Sequence, residues 1–335
     1  MAAKKVLVVY AHQSAGSFNS AAKDAAVEVL GAQGCTVDVS DLYALKFKAT
    51  ATAEDIVGEV KNQDHFRYAE ETKLAWEEGK LSEDIVEEQR KLTQADLVIF
   101  QFPMYWFSVP GIMKGWIDRV LTSGYAFTQE KRYSQGIFKD KKAMLSFTTG
   151  SNESMFSANG INGDMNVTLW PLQNGILHYC GFQVLAPHIF WAPSHVKAET
   201  RDTMLGGWRE ESEDNCQHTD WLEPSCLHQR PGFHLQNGIL HYCGFQVLAP
   251  HIFWAPSHVK AETRDTMLGG WRTRLQGLLL EAPLSFTPSD SFDGAKGFQL
   301  KPEVQEKHED QEFGLTVGTH QGKRLPPNSQ IRAGV

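Results

Sequence analysis

No stretch of this chain approaches the about 18 consecutive apolar residues that a membrane-crossing helix needs. The first apolar run, Val6–Tyr10, follows two lysines but ends in His-Gln-Ser, too short for the apolar core of a secretory leader. Cysteine is scarce: five in 335 residues, an odd number, which fits a reducing compartment better than a disulfide framework. Basic charge is not in excess either. Lys and Arg number 32 against 40 Asp and Glu, for a net charge of −8, so there is no electrostatic footprint for nucleic acid. Two phosphate-binding signatures, GxGxxG and GxxxxGK[ST], are missing, which argues against a Rossmann dinucleotide domain and a P-loop. Cys216-x-His218 and Cys226-x-His228 lack the CxxC spacing of a zinc site, and no metal is expected there. These absences leave a soluble, cytosolic chain with no nucleic-acid or membrane partner as the expectation.

What the chain has in excess is a copy of itself. Residues 172–209 recur letter for letter as 235–272, a 38-residue block at an offset of 63. Surface positions tolerate change at little cost, so no physical pressure preserves a repeat at every position. The block reads as a recent duplication or a misassembled gene model, and removing one period leaves 272 residues. The expected layout follows from it: a catalytic domain over 1–209, an inserted spacer and duplicate over 210–272, and a last helix with a C-terminal extension over 273–335. Only one copy of GFQVLA can occupy a sheet slot. Copy one, which keeps its run from Gly163, is expected to fill it and leave copy two with exposed apolar surface.

Periodicity supplies the elements. Lys5–Tyr10, Cys35–Val39, Asp96–Phe102, Ala143–Phe147 and Gly181–Ala186 read as strands, mostly apolar on both faces. Ser20–Gly34, a segment from Ser82 to about Leu92, Pro110–Val120, Met165–Cys180 and Ala261–Leu280 read as helices. Thr52-Ala-Glu-Asp55 has capping-box spacing. Alternating strands and helices call for a doubly wound parallel sheet covered on both faces, which binds ligands beyond the carboxyl ends of its strands. Three loops lie there: His12 to Asn19, Pro103 to Phe107, and Thr148 to Ser151. The first offers hydroxyls and a helix entrance suited to phosphate. The second is aromatic and suits a flat ring. A flavin fits the combination.

The segments AHQSAGSFN (11–19), ADLVIFQFPMYWFSVPGIMKGWIDRVL (95–121), LSFTTG (145–150), GDMNVTLWPLQNGILHYCGFQVLAP (163–187) and FGLTVGTHQGKRLP (313–326) resemble the NAD(P)H:quinone oxidoreductase family of the DT-diaphorase type. The resemblance spans the whole chain apart from the inserted period. Tyr105 and Asn162 look like the branch that uses dihydronicotinamide riboside, while the tail from about Leu284 resembles the NAD(P)H-using branch. It implies a flavodoxin-like five-stranded sheet in the order 2-1-3-4-5, a homodimer, FAD as cofactor, NAD(P)H as co-substrate and a quinone as acceptor. Hydride passes from nicotinamide to flavin and then to the quinone in a ping-pong cycle. The alternatives are a catalytically weakened flavin-binding relative that acts through protein partners, and use of the riboside donor.

Residue by residue, the resemblance assigns His12, Phe18, Asn19, Met104, Tyr105, Trp106, Phe107, Thr148, Thr149, Gly150 and Arg201 to the FAD site. It assigns Ala126, Phe127 and Thr128 to a substrate-side segment supplied by the partner subunit. Four positions depart from the family pattern. Ser151 replaces a glycine, Arg67 replaces a glutamine and could reach a phosphate, and Asn162 stands where one branch has histidine. Phe156 stands where tyrosine is usual. The family Tyr/His pair is held to donate a proton or hydrogen bond to the reduced flavin; Phe cannot, and Asn can give only a hydrogen bond. A metal near His178 and Cys180 is known in one branch, but Asn174 occupies the likely partner position, so His178 reads as a core histidine.

Overall fold

The computed structural model describes residues 3–215 and 234–324, apart from 249, 254, 282, 285, 317 and 318. Cys216, His218, Cys226 and His228 lie outside the described residues. The chain divides into two compact units, Met1–Glu153 with Thr168–Leu227, and Ser154–Val167 with His228–Val335. The three-part layout with boundaries at 209 and 272 is a proposal that rests on the repeat.

The first unit is a parallel sheet of β1 (Lys5–Tyr10), β2 (Thr36–Asp41), β3 (Leu97–Pro103), β4 (Lys142–Thr148), β5 (Gln183–Val184) and β6 (His188–Phe190). The order is β2-β1-β3-β4-β5, with β6 also pairing β4. This is the doubly wound flavodoxin-like order. β3 is buried at every position, as a central strand covered on both faces must be. The fifth position differs from the single strand expected over Gly181–Ala186. β5 pairs with Lys142 and Ala143, β6 pairs with Ser146 to Thr148, and Pro187 stands between them. Proline has no N–H to give a ladder, so the strand breaks there.

Helices cover the sheet. α1 (Phe18–Ala32) starts two residues earlier than the pattern suggested, because the Ser17 hydroxyl caps it by accepting from the Ser20 N–H. Its buried stripe of Ala22, Ala25 and Ala26 brings the helix close onto β1 and β3. α2 (Tyr68–Glu77) was not expected; Arg67 at its N-cap gives no side-chain cap and so leaves no start signal. α3 (Glu83–Gln94) and α4 (Gly111–Val120) match their expected spans, and the Thr52 capping box is formed. α5 (Met165–Leu172) contains Pro171 and runs into a wide π-type turn over Gln173–His178. The same QNGILH sequence takes a π-type turn over His234–His241, where His234 stands at the position of Pro171, so the wide turn goes with this sequence and not with the proline. α6 (Ala198–Asn215) follows β6.

The second unit carries α7 (Ala261–Gly277), the antiparallel pair β7 (Phe292–Asp293) and β8 (Gln299–Leu300), and α8 (Pro302–Lys307). Copy one of the repeat supplies β5, β6 and α6; the described residues of copy two contain no strand, and its Tyr242 and Phe245 are exposed. No helix of the described residues is long and apolar enough to cross a membrane.

Candidate functional site

Three loops of the first unit leave the carboxyl ends of β1, β3 and β4. In the first, the Ser14 N–H donates to His12 Nδ1 at 3.0 Å, which puts the imidazole proton on Nε2. Burial pushes the His12 pKa below its ordinary value, which favours the neutral ring. Helix α1 opens here, and the first N–H groups of any helix have no acceptor within it. Phe18 lies edge-on to Phe190 at 5.0 Å.

Asn19, buried at the same helix entrance, belongs to a polar chain that crosses the sheet. Ser146 Oγ donates to Gln101 Oε1 at 2.7 Å, Gln101 Nε2 to Asn19 Oδ1 at 2.9 Å, and Asn19 Nδ2 to Thr148 Oγ1 at 2.9 Å. Buried polar groups are costly unless paired, and here each is paired. The chain fixes Asn19 and Thr148, two of the expected FAD contacts. Gln101 and Ser146 were not singled out from the sequence. Their signal was present, since each is a polar residue flanked by apolar ones in a strand whose interior is buried.

The second loop turns sharply. Tyr105 and Ser108 exchange backbone hydrogen bonds at 3.0 and 3.1 Å, and the two residues between them, Trp106 and Phe107, both have positive φ, 49° and 64°. Such turns are normally built from Gly, Asn or Asp. A side chain in this region costs about 1–2 kcal/mol per residue, and strain of this kind clusters where ligands are clamped. The result is an aromatic shelf, with Trp106 58% exposed. Met104 N–H on Thr148 O at 2.8 Å, and Gln13 Nε2 on the Tyr105 hydroxyl at 3.2 Å, tie this loop to the other two.

The third loop is braced through Thr149. Its N–H donates to Phe190 O, its hydroxyl donates to Ser151 O at 2.7 Å, and that hydroxyl accepts from the Ala192 N–H at 3.3 Å. A Cβ built on Gly150 would meet nothing within 4 Å, so the backbone beside it faces open space. These features fit a flavin dinucleotide: neutral donors and a helix start for a diphosphate, an aromatic shelf and an open peptide edge for a ring.

Other expected site residues have partners of their own. Arg67 pairs with Glu70 at 2.9 Å, on the surface. Arg201 donates to Val196 O at 2.8 Å and to Pro193 O, bracing its own loop. Ala126 is fully buried, Phe127 packs on Tyr179 at 5.3 Å, and Thr128 Oγ1 accepts from the Glu130 and Lys131 N–H groups. His178 Nδ1 is 3.2 Å from Asn174 Oδ1.

Phe156 and Asn162 belong to the second unit. Asn162 N–H donates to Met155 O, which sets the two positions side by side in one tight loop. Gly160 makes that loop possible, since a Cβ there would fall 2.3 Å from Met155 O. Just beyond, His320 Nε2 lies 3.0 Å from Asp164 Oδ2, and His320 Nδ1 accepts from the Gly322 N–H. Burial acts to raise the Asp164 pKa, but His320 and Asn166 outweigh it and hold the carboxyl below its ordinary value.

Residues 4–211 match a family model described as a flavodoxin-like fold. The chain is 41% identical to NAD(P)H dehydrogenase [quinone] 1 of Rattus norvegicus over 335 residues, covering 99% of each chain. It is 54% identical to the ribosyldihydronicotinamide dehydrogenase [quinone] of the same organism over 208 residues, 62% of this chain and 90% of that one. Among solved structures it is similar to a Klebsiella pneumoniae protein described as a quinone reductase, with TM-score 0.62 and 36% identity over 77% of this chain and 96% of that chain. It is also similar to an NAD(P)H:quinone oxidoreductase of Methanothermobacter marburgensis, with TM-score 0.53 and 25% identity over 65% and 100% of the two chains.

Proposed function

Since the chain belongs to the flavodoxin-like family of NAD(P)H:quinone dehydrogenases, we propose that the three loops beyond β1, β3 and β4 are its FAD site. It is an FAD-dependent oxidoreductase that uses NAD(P)H to reduce quinones to hydroquinones. The observation that carries the site assignment is the strained shelf of Trp106 and Phe107, joined by Met104 to the Thr148 loop and by Tyr105 to Gln13.

Bound FAD supplies the hydride-accepting ring that links two substrates never present together. The chain's residues do the rest. His12, as an Nε2–H donor, and the N–H groups of Phe18 and Asn19 hold the diphosphate. Trp106 and Phe107 carry the ring. The Thr149–Gly150 peptide, held by the bonds of Thr149, would present the Gly150 N–H where charge develops during reduction, and a fixed donor of this kind stabilises such charge without reorganisation. Phe156 offers no proton at its position, and Asn162 offers only a hydrogen bond, so solvent must complete any protonation they do not provide. Arg67 would leave Glu70 to meet a phosphate. Ala126, Phe127 and Thr128 would face a partner subunit's flavin in a homodimer in the cytosol. The test is turnover of menadione with NADPH by the purified chain, lost when Trp106 is replaced by Ala while the fold survives.

A second reading concerns the donor. Over 208 residues the chain is 54% identical to a ribosyldihydronicotinamide dehydrogenase, so the riboside is a candidate donor beside NAD(P)H. A ratio of kcat/KM for dihydronicotinamide riboside over NADPH well above one would select it.

A further inference from the structure

The slot beside β4 and α1 is filled by copy one of the repeat, and the same 38 residues exist a second time in the chain. In copy one, Trp208 is fully buried and its indole N–H donates to Ala22 O of α1 at 3.0 Å. Phe182, Leu185 and Phe190 are buried with it.

Copy two keeps the internal geometry of copy one without that slot. Arg264 donates to Val259 O at 2.8 Å and Pro256 O at 3.4 Å, the same contacts and lengths as Arg201 on Val196 and Pro193. The ring trio His251, Phe253 and Trp271 has centroid separations of 4.8, 4.8 and 6.3 Å; its counterpart His188, Phe190 and Trp208 has 4.5, 4.6 and 6.0 Å. Ala255 and Ala192 share a strained φ of 45° and 46°. The ring trio, the arginine brace and the strained alanine are therefore encoded within the repeated residues themselves, while the strands of copy one are not formed among the described residues of copy two. What differs is the docking face: Phe245 is 61% exposed where Phe182 is 2%, and Cys243 is exposed where Cys180 is buried.

Occupancy by either copy leaves a surplus loop of equal length. With copy one in the slot the surplus is 210–272; with copy two it is 172–234; each has 63 residues. Loop-closure entropy depends on length, so it does not separate the two arrangements. The contacts made in the slot are the same by sequence. A tethered segment also meets its own chain at far higher effective concentration than any other molecule does.

We propose that residues 235–272 are an interchangeable occupant of the slot beside β4 and α1 of their own chain, giving the protein two alternative arrangements of one fold.

The full-length chain carries its own reporters, Cys180 and Cys243, at equivalent positions of the two copies. The tryptic peptide of Cys180 (143–197) holds no other cysteine, whereas that of Cys243 (210–260) also holds Cys216 and Cys226, so alkylation at Cys243 is read from its fragment ions in tandem mass spectrometry. Three variants are compared with the parent: Trp208→Ala, Trp271→Ala and the double variant. In the parent each thiol is protected in those molecules where its own copy fills the slot, so Cys180 and Cys243 both alkylate in part. In Trp208→Ala, Cys243 becomes protected and Cys180 reactive, and the melting temperature falls by less than half as much as in the double variant. Trp271→Ala leaves melting unchanged. The proposal is overturned if Trp208→Ala melts like the double variant with both thiols reactive, or is insoluble while Trp271→Ala is soluble. Protection of Cys243 that grows with protein concentration would place copy two in another molecule's slot and overturn the intrachain assignment.

Discussion

Asn19 donates its side-chain amide to the Thr148 hydroxyl at 2.9 Å, joining the entrance of α1 to the carboxyl end of β4 beneath the proposed flavin site. The bond is the last in a buried chain through Gln101 and Ser146. Replacing Asn19 by Ala strands Gln101 Nε2 and Thr148 Oγ1 without partners, and an unsatisfied buried group costs about 1–3 kcal/mol. Asn19→Ala is expected to melt several degrees lower than the parent and to lose flavin on gel filtration. Unchanged melting together with full flavin retention would remove this chain from the account.

The Trp106–Phe107 turn predicts two effects of opposite sign. Trp106→Gly relieves about 1–2 kcal/mol of left-handed backbone cost and loses roughly 0.5–1 kcal/mol to glycine's greater freedom in the unfolded chain. The flavin-free variant should therefore be as stable as the parent or slightly more so, while its FAD affinity falls at least tenfold. Calorimetry of the apoprotein and fluorescence titration with FAD measure the two separately. Equal FAD affinity would mean that the strain serves something other than the flavin.

Arg119 lies buried between Asp55 and Asp84, at 3.0 and 2.6 Å. Burial works to raise both carboxyls, but Arg119 outweighs it, with help from Tyr68 and Lys48 at Asp55, so both stay below the ordinary carboxylate range. A depressed folded-state pKa stabilises the fold above the unfolded value, near 4, and that contribution is lost as pH falls through the folded value. Arg119→Met removes the shared partner and should cost about 3–5 kcal/mol at pH 7. It should also flatten the acid limb of a plot of melting temperature against pH. A variant whose acid limb matches the parent's would show that the cluster does not govern acid stability.

Under the proposed assignment, Phe156 occupies the position that the resemblance gives to a tyrosine donor. Restoring a hydroxyl with Phe156→Tyr is expected to speed flavin reduction, by up to about 100- to 1000-fold for one well-placed donor. Stopped-flow reduction as fast in the parent as in the variant would show that the position does not contribute.

Much of the fold was legible because its strands are buried on both faces. LVIFQFP in β3 and KAMLSFT in β4 announce themselves as apolar runs, and their alternation with helices fixes a parallel sheet. The break at Pro187 was harder to see, because GFQVLA reads as one strand until the edge ladder is drawn. Helix α2 escaped because Arg67 gives no N-cap signal and YAEETKLAWE has too few apolar residues at helical spacing to mark a buried stripe. At the site, the aromatic loop was evident in its letters, but not the positive φ at Trp106 and Phe107. Local preference runs against that conformation for aromatic residues, and only the surrounding contacts impose it. Gln101 and Ser146 were readable in principle, as polar letters inside β3 and β4. The partners of Arg67 and Arg201 were not, since long guanidinium side chains choose among carboxylates and carbonyls that only the fold brings near.

The central claim, a flavin seated on these loops that takes electrons from a nicotinamide and gives them to a quinone, is tested most directly by anaerobic titration of the purified chain. The visible flavin spectrum is followed as NADPH is added and then menadione. The account predicts yellow protein that bleaches with about one equivalent of NADPH per flavin and regains its colour with one equivalent of quinone. Protein that stays colourless after addition of FAD, or yellow protein that neither NADPH nor dihydronicotinamide riboside can bleach, would contradict it.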